Sequence, residues 1–184
     1  YPIKKITSFF EYIGQYLMLM VKMFRSTDSL SNYTPNIIDQ MIVIGSKSIP
    51  IVLITSFFSG MVTSVQGAYQ MTTTLVPKWY IGGIVGESVI LELAPMITGL
   101  VLAGRVGANI AAEIGTMRVT EQIDALETLS LDPVAYLVVP RVLAGLVMFP
   151  VLVIFADFCG IFGGLIACLS TLDINSYQFM KGVK

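Results

Sequence analysis

An all-α membrane fold is the prediction for this chain, and three observations make it. Hydrophobic residues are 55% of the 184 and charged residues only 12%, whereas soluble domains carry roughly 25% charged residues. The mean hydropathy is +0.79. No charge interrupts residues 48–77 between Lys47 and Lys78, which is ample for a helix across a hydrocarbon core that takes about 20 apolar residues.

The elements follow in order. From Tyr1 to Phe24, the apolar residues Phe9, Phe10, Ile13, Leu17, Met20 and Phe24 recur every three or four positions among Lys4, Lys5, Glu11, Lys22 and Arg25. Residues 1–25 therefore read as a helix lying in the membrane interface. This stretch is not a plain signal peptide, because Glu11, Lys22 and Arg25 break any apolar region and no small-residue cleavage site follows. It is expected to stay on the mature chain. Ser26 to Asn36 is polar and turn-rich, and reads as a connector.

The first span is expected over 48–77, with a polar second half around Gln66, Gly67 and Thr72 to Thr74. Pro77, Lys78 and Trp79 make a turn with an interfacial aromatic. A second span over 81–115 then returns, carrying Glu87 and Glu92. Gly99, Ala103, Gly107, Ala111 and Gly115 form a ladder of small residues on one face, which lets another backbone approach closely. A third span covers 133–172, its stretch from Val142 to Leu172 interrupted only by Asp157, and Gly160 with Gly164 offers a further close-packing pair. Asp173 to Lys184 is polar and contains no further span. Pro50, Pro95 and Pro150 fall inside predicted spans, where each removes a hydrogen bond and produces a kink.

Between the second and third spans lies a short charged segment, over 119–131. Val119, Ile123 and Leu126 share one helical face while Glu121, Asp124 and Thr128 lie on others. Asp132 followed by Pro133 restarts a helix, since the carboxylate accepts orphan amides and Pro has none to lose. The segment is thus a separate helix of roughly three turns, too short to cross a bilayer. Lys4, Lys5, Lys22, Arg25 and Lys47 precede the first span, and Arg105, Arg118 and Arg141 surround this segment. Only Lys78, Lys181 and Lys184 fall on the other side, so the positive-inside rule puts the N-terminus and the charged segment in the cytoplasm.

Several functions are excluded. A net charge of -1 is no nucleic-acid footprint. Without any His, the commonest general base and metal ligand is missing. Cys159 and Cys168 sit nine residues apart on one apolar stretch and read as buried small hydrophobes. No phosphate-binding G-x-x-x-x-G-K-[ST] run is present, so this chain does not hydrolyse ATP itself. The ionisable groups within spans, Glu87, Glu92, Arg105, Glu113 and Asp157, must pair, lie near the interface or face a cavity. Glu92 is the deepest by count.

The blocks AGRVGANIAAEIGTMRVTEQIDAL and DPVAYLVVPRVLAG strongly resemble the MlaE (YrbE) permeases, membrane subunits of ABC-type lipid transporters that work with MCE proteins, and weaker likeness covers nearly the whole chain. The segment from Glu121 to Pro140 also resembles the wider ABC-permease loop that opens on Glu and closes on Pro, but Glu127 stands where that loop usually has Gly. The resemblance implies that the short helix is a coupling helix docking in an ATPase cleft, a role it passes to Glu121, Gln122, Asp124, Leu126 and Glu127. It also implies lipid-path candidates at Gln66, Tyr69 and Glu92. Leu91 stands where many relatives have Arg, and Ala94 where they have Gly, which excludes a charged headgroup contact at Leu91.

The implied setting is a bacterial inner membrane, with the N-terminus cytoplasmic. The implied partners are a second permease copy, a cytoplasmic ABC ATPase dimer that carries ATP and Mg, an MCE-domain protein on the outer side, a small STAS-type subunit and the lipid itself. No cofactor is expected on this chain, and no catalysis. Five spans are usual in the family, so the last two are expected to be absent here. Two rival readings rest on the carboxylates alone: a proton-linked secondary transporter using Glu87, Glu92 and Asp157, and a membrane-embedded hydrolase dependent on Glu87 and Glu92.

Overall fold

A computed structural model describes residues 2–25, 34–70, 80–171 and 175–183. Those residues are helical apart from short turns, and three helices are long and apolar enough to cross a membrane: Thr34–Gln70, Tyr80–Val119 and Pro133–Ser170. At 1.5 Å rise per residue, each is longer than a hydrocarbon core of about 30 Å requires. Their ends therefore have length to spare for polar positions.

The elements are α1 (Pro2–Arg25), α2 (Thr34–Ile44), α3 (Ile49–Gln70), α4 (Tyr80–Ser88), α5 (Ala94–Val119), α6 (Gln122–Thr128), α7 (Pro133–Thr171) and α8 (Ser176–Val183). A 3₁₀ turn, Ser46–Ser48, joins α2 to α3, and a π-turn, Val89–Leu93, joins α4 to α5. The chain divides into two compact units, residues 1–42 with 110–146 and residues 43–109 with 147–184.

The second unit holds an apolar core of Val52, Ile81, Val85, Val89, Ala94, Ala156, Cys168 and Phe179. Glycines set how closely its helices approach. A Cβ on Gly60 would collide with the backbone of Gly160, and one on Gly163 with the carbonyl of Phe57, so α3 and α7 touch through bare backbone. Gly160 and Gly164 thus act as the close-packing pair that their spacing predicts, and Val89 and Val85 fill the space above them. Without a hydrophobic driving force between helices in lipid, such contacts supply much of the association. Gly60→Ala is therefore expected to cost about 1–3 kcal/mol by overpacking, read as a lowered thermal midpoint in detergent. Gly104→Ala, with nothing within 4 Å of its Cβ, is the control and should leave the midpoint unchanged or raise it.

Several elements differ from the sequence reading. Residues 34–36 of the expected connector are already helical, because α2 begins at Thr34 and leads into α3 through the 3₁₀ turn at Gly45. The polar tail folds as α8, whose Phe179 is fully buried with its carbonyl against Gly82 of α4. The apolar residues of α8 do fall on one face, but at eight residues the helix is too short to register as a span. Pro50 follows the 3₁₀ turn within the span Thr34–Gln70, Pro95 follows the π-turn within the span Tyr80–Val119, and Pro150 lies deep within α7, so all three fall inside spans as expected. Thr72 to Thr74 and the turn at Pro77, Lys78 and Trp79 lie outside the described residues.

Candidate functional site

The link between α5 and α7 is a hairpin turn with a short helix at its tip. α6 has only seven residues, two turns rather than three, and Val119 ends α5 instead of sharing a face with Ile123 and Leu126. Glu121 caps α6 at φ 59°, and Ser130 follows it at φ 58°; they are the non-glycine residues with positive φ among those described. Left-handed backbone costs a non-glycine residue of order 1 kcal/mol or more. Ser130 meets this cost within a Schellman motif: its N–H donates to the Glu127 carbonyl at 3.0 Å and that of Leu131 to the Leu126 carbonyl at 3.1 Å. Glu127 itself is helical, a conformation that requires no glycine.

Asp132 then starts α7 as predicted: its Oδ1 accepts the Val134 N–H at 3.0 Å, with Pro133 in the first helical position. The same oxygen meets Lys22 Nζ of α1 at 3.1 Å. On α6, Glu121, Gln122, Asp124 and Glu127 are exposed while Ile123 and Leu126 are half-buried. The five residues assigned to coupling therefore include four solvent-facing polar side chains, with Leu126 on the inner side.

Behind this hairpin, the first unit contains an ion pair that charge counting did not locate. Arg141 Nη2 lies 2.8 Å from Glu113 Oε1, with the arginine side chain 5% exposed and the glutamate 44%. Arg141 Nε and Nη1 are buried without a hydrogen-bond partner. A cavity of about 210 Å³ adjoins the pair, lined in part by Asn36, Asp39 and Gln40 of α2 and Tyr136 of α7. Glu113 is thus accounted for by internal pairing, and Arg105 by a 2.6 Å hydrogen bond to the Ser48 hydroxyl.

The lipid-path candidates do not converge on one spot. Gln66 and Tyr69 line a largely apolar groove of about 480 Å³ with Phe58, Met61, Val62 and Val65 of α3. Glu92 lies in the π-turn, where Ala94 N–H bonds to the Val89 carbonyl five residues back, and both Glu92 and Leu91 are exposed. The sequence reading missed this turn; Pro95, whose missing N–H removes one i→i−4 bond, was its only local sign. Of the small-residue ladder, a Cβ on Gly99 would meet the Phe149 ring at 3.6 Å, but one on Gly107 or Gly115 would meet nothing within 4 Å, and Ala103 and Ala111 are exposed. No group of three or more metal-ligating side chains occurs among the described residues.

Comparison with known proteins agrees with the motifs. The family described as Permease MlaE matches residues 37–184. A probable ABC transporter permease of Rickettsia felis is 41% identical over 177 residues, covering 96% of this chain and 68% of that relative. One from Synechocystis is 47% identical over 154 residues, 81% of this chain and 56% of the relative. The intermembrane phospholipid transport system permease protein MlaE of Haemophilus influenzae is 32% identical over 176 residues, 96% of this chain and 67% of the relative. The chain thus spans roughly three-fifths of the length of these relatives. With three membrane-length helices, a short polar helix between the second and third, and a match over most of its residues, the chain belongs to the MlaE family of ABC transporter permeases.

Proposed function

We propose that this chain is the membrane subunit of an ATP-driven phospholipid transporter of a bacterial inner membrane, passing lipid between that membrane and an MCE-type protein on its outer side. The observation that carries the reading is α6, a two-turn helix held out between two membrane-length helices, with Glu121, Gln122, Asp124 and Glu127 turned to solvent. A helix too short and too polar to enter lipid is suited to dock on a soluble machine. The left-handed Glu121 at its start supports this, because stored backbone strain gathers at sites that must be held in one geometry. The docking partner is an ABC ATPase dimer, which holds ATP and Mg; the N-terminus and α6 are cytoplasmic.

The chain performs no covalent chemistry. Nucleotide-driven closure of the ATPase moves α6, and with it α5 and α7, shifting the balance between two shapes of the lipid path. Glu92 lines that path, since a carboxylate exposed in mid-span is costly unless water or protein covers it. Gln66 and Tyr69 line it too, their apolar groove suiting acyl chains. The exposed face at Ala103, Gly107, Ala111 and Gly115 is where a further helix packs, from a second permease copy or from the rest of the protein.

The direct test is purification of the full-length protein from its own cells in mild detergent. A P-loop ATPase and an MCE-domain protein should co-purify, with phospholipid detected by mass spectrometry. Transport by the purified permease alone under a proton gradient would overturn the reading in favour of a carboxylate-relay carrier.

A further inference from the structure

The end of α1 and the head of α7 enclose an open groove of about 620 Å³ whose walls include Met18, Val21, Lys22, Arg25, Asp132 and Val134. Its chemistry is divided. Met18, Val21 and Val134 make an apolar wall, while Lys22 and Arg25 place two cations at the end of α1. Asp132 is the single anion, and its Oδ1 already accepts the Val134 N–H and meets Lys22. The groove therefore keeps a net positive charge. Arg25 is exposed and makes no ion pair or hydrogen bond among the described residues, and the Lys22 side chain remains 55% exposed.

Cations in the last turn of a helix complement its dipole, which accounts for their position. It does not account for an apolar channel beside them. Along α1, Phe10, Tyr16, Leu17 and Met18 are all more than half exposed, as in a helix whose apolar side rests among lipid chains. A ligand fitting both halves of the groove has an anionic head and an apolar body. Charge complementarity favours an acidic head over a zwitterionic one.

We infer that this groove binds an anionic phospholipid of the surrounding membrane, its phosphate held by Arg25 and Lys22 and its chains laid along Met18, Val21 and Val134, as a fixed structural partner distinct from the transported lipid. Arg is suited to such a phosphate because its planar fork donates two parallel hydrogen bonds. The bound lipid ties α1 to Asp132, two residues after the left-handed turn at Ser130 that closes α6. Anionic lipid thereby steadies the base of the hairpin.

The inference is tested on the full-length protein in nanodiscs of phosphatidylcholine with or without phosphatidylglycerol, by native mass spectrometry of retained lipid and by thermal unfolding. Wild type should retain phosphatidylglycerol over phosphatidylcholine and unfold at a higher temperature with it. Arg25→Glu should lower the retention ratio by about tenfold, the scale of one or two lost charge-assisted hydrogen bonds, whereas Arg25→Lys, which keeps the charge but loses the fork, should fall between it and wild type. Lys47→Glu, an equal charge change outside the groove, should keep the wild-type ratio. Equal retention of both lipids by wild type would overturn the site. So would an equal loss in Lys47→Glu, or the same thermal shift from inorganic phosphate alone. These readouts do not involve transport or ATP, so they stand or fall apart from the proposed function.

Discussion

Glu113→Ala is expected to destabilise the folded chain by about 3–5 kcal/mol, the usual cost of leaving a buried charge without its partner. Arg141 is nearly inaccessible, and the 2.8 Å contact with Glu113 is its one ion pair among the described residues. Two of its nitrogens are already unsatisfied and buried, and with the Glu113 carboxylate gone Asp39 is the acidic side chain left lining the adjoining cavity. The reverse change, Arg141→Met, should cost less through electrostatics because Glu113 is half-exposed and can turn to water. Replacing both residues by Ala at position 113 and Met at position 141 removes the charges together, and should recover most of the loss. Thermal unfolding of the four proteins in one detergent gives the cycle. A single Glu113→Ala change that unfolds like wild type would show that the pair contributes nothing.

Glu121→Lys combined with Asp124→Lys should reduce ATP-dependent lipid transport by at least about tenfold, corresponding to 1.4 kcal/mol or more of lost coupling. Both side chains are exposed, and surface changes of this kind usually move stability by within about 0.5 kcal/mol. Expression and the thermal midpoint should therefore hold. Lys tolerates the left-handed position of residue 121 no worse than Glu, so the hairpin keeps its shape. The measurement is lipid transfer and ATP hydrolysis by the reconstituted complex. Wild-type transfer at wild-type hydrolysis in the double variant would remove α6 as the docking element.

Much of the architecture was legible from the sequence because the membrane imposes long, uninterrupted apolar runs that few soluble helices match. The start of α7 was equally legible: Asp132 and Pro133 act through adjacent backbone groups, so their effect needs no knowledge of distant residues. That Gly160 and Gly164 pack closely followed from their spacing, while only the structure named α3 as the partner. The short charged segment between the second and third spans was found as a helix but overextended, because its apolar residues continue the α5 pattern across Glu121, where the backbone turns left-handed. Residues from two elements were thus counted as one helical face.

What the sequence determined by itself is the class of the molecule: three membrane-length helices, a short polar helix between the second and third, and a family written into the blocks around Arg105, Glu121 and Pro140. Those features are local in the chain, set by solvent preference and by hydrogen bonds between near neighbours. The tertiary structure alone decided which polar groups meet, pairing Arg141 with Glu113 and Asp132 with Lys22 and hydrogen-bonding Arg105 to Ser48. It also placed Glu92 on a π-turn and docked α8 on α4 through Phe179. These contacts join residues 28 to 110 positions apart or depend on a one-residue shift in helix register, and hydrophobic periodicity carries no record of either.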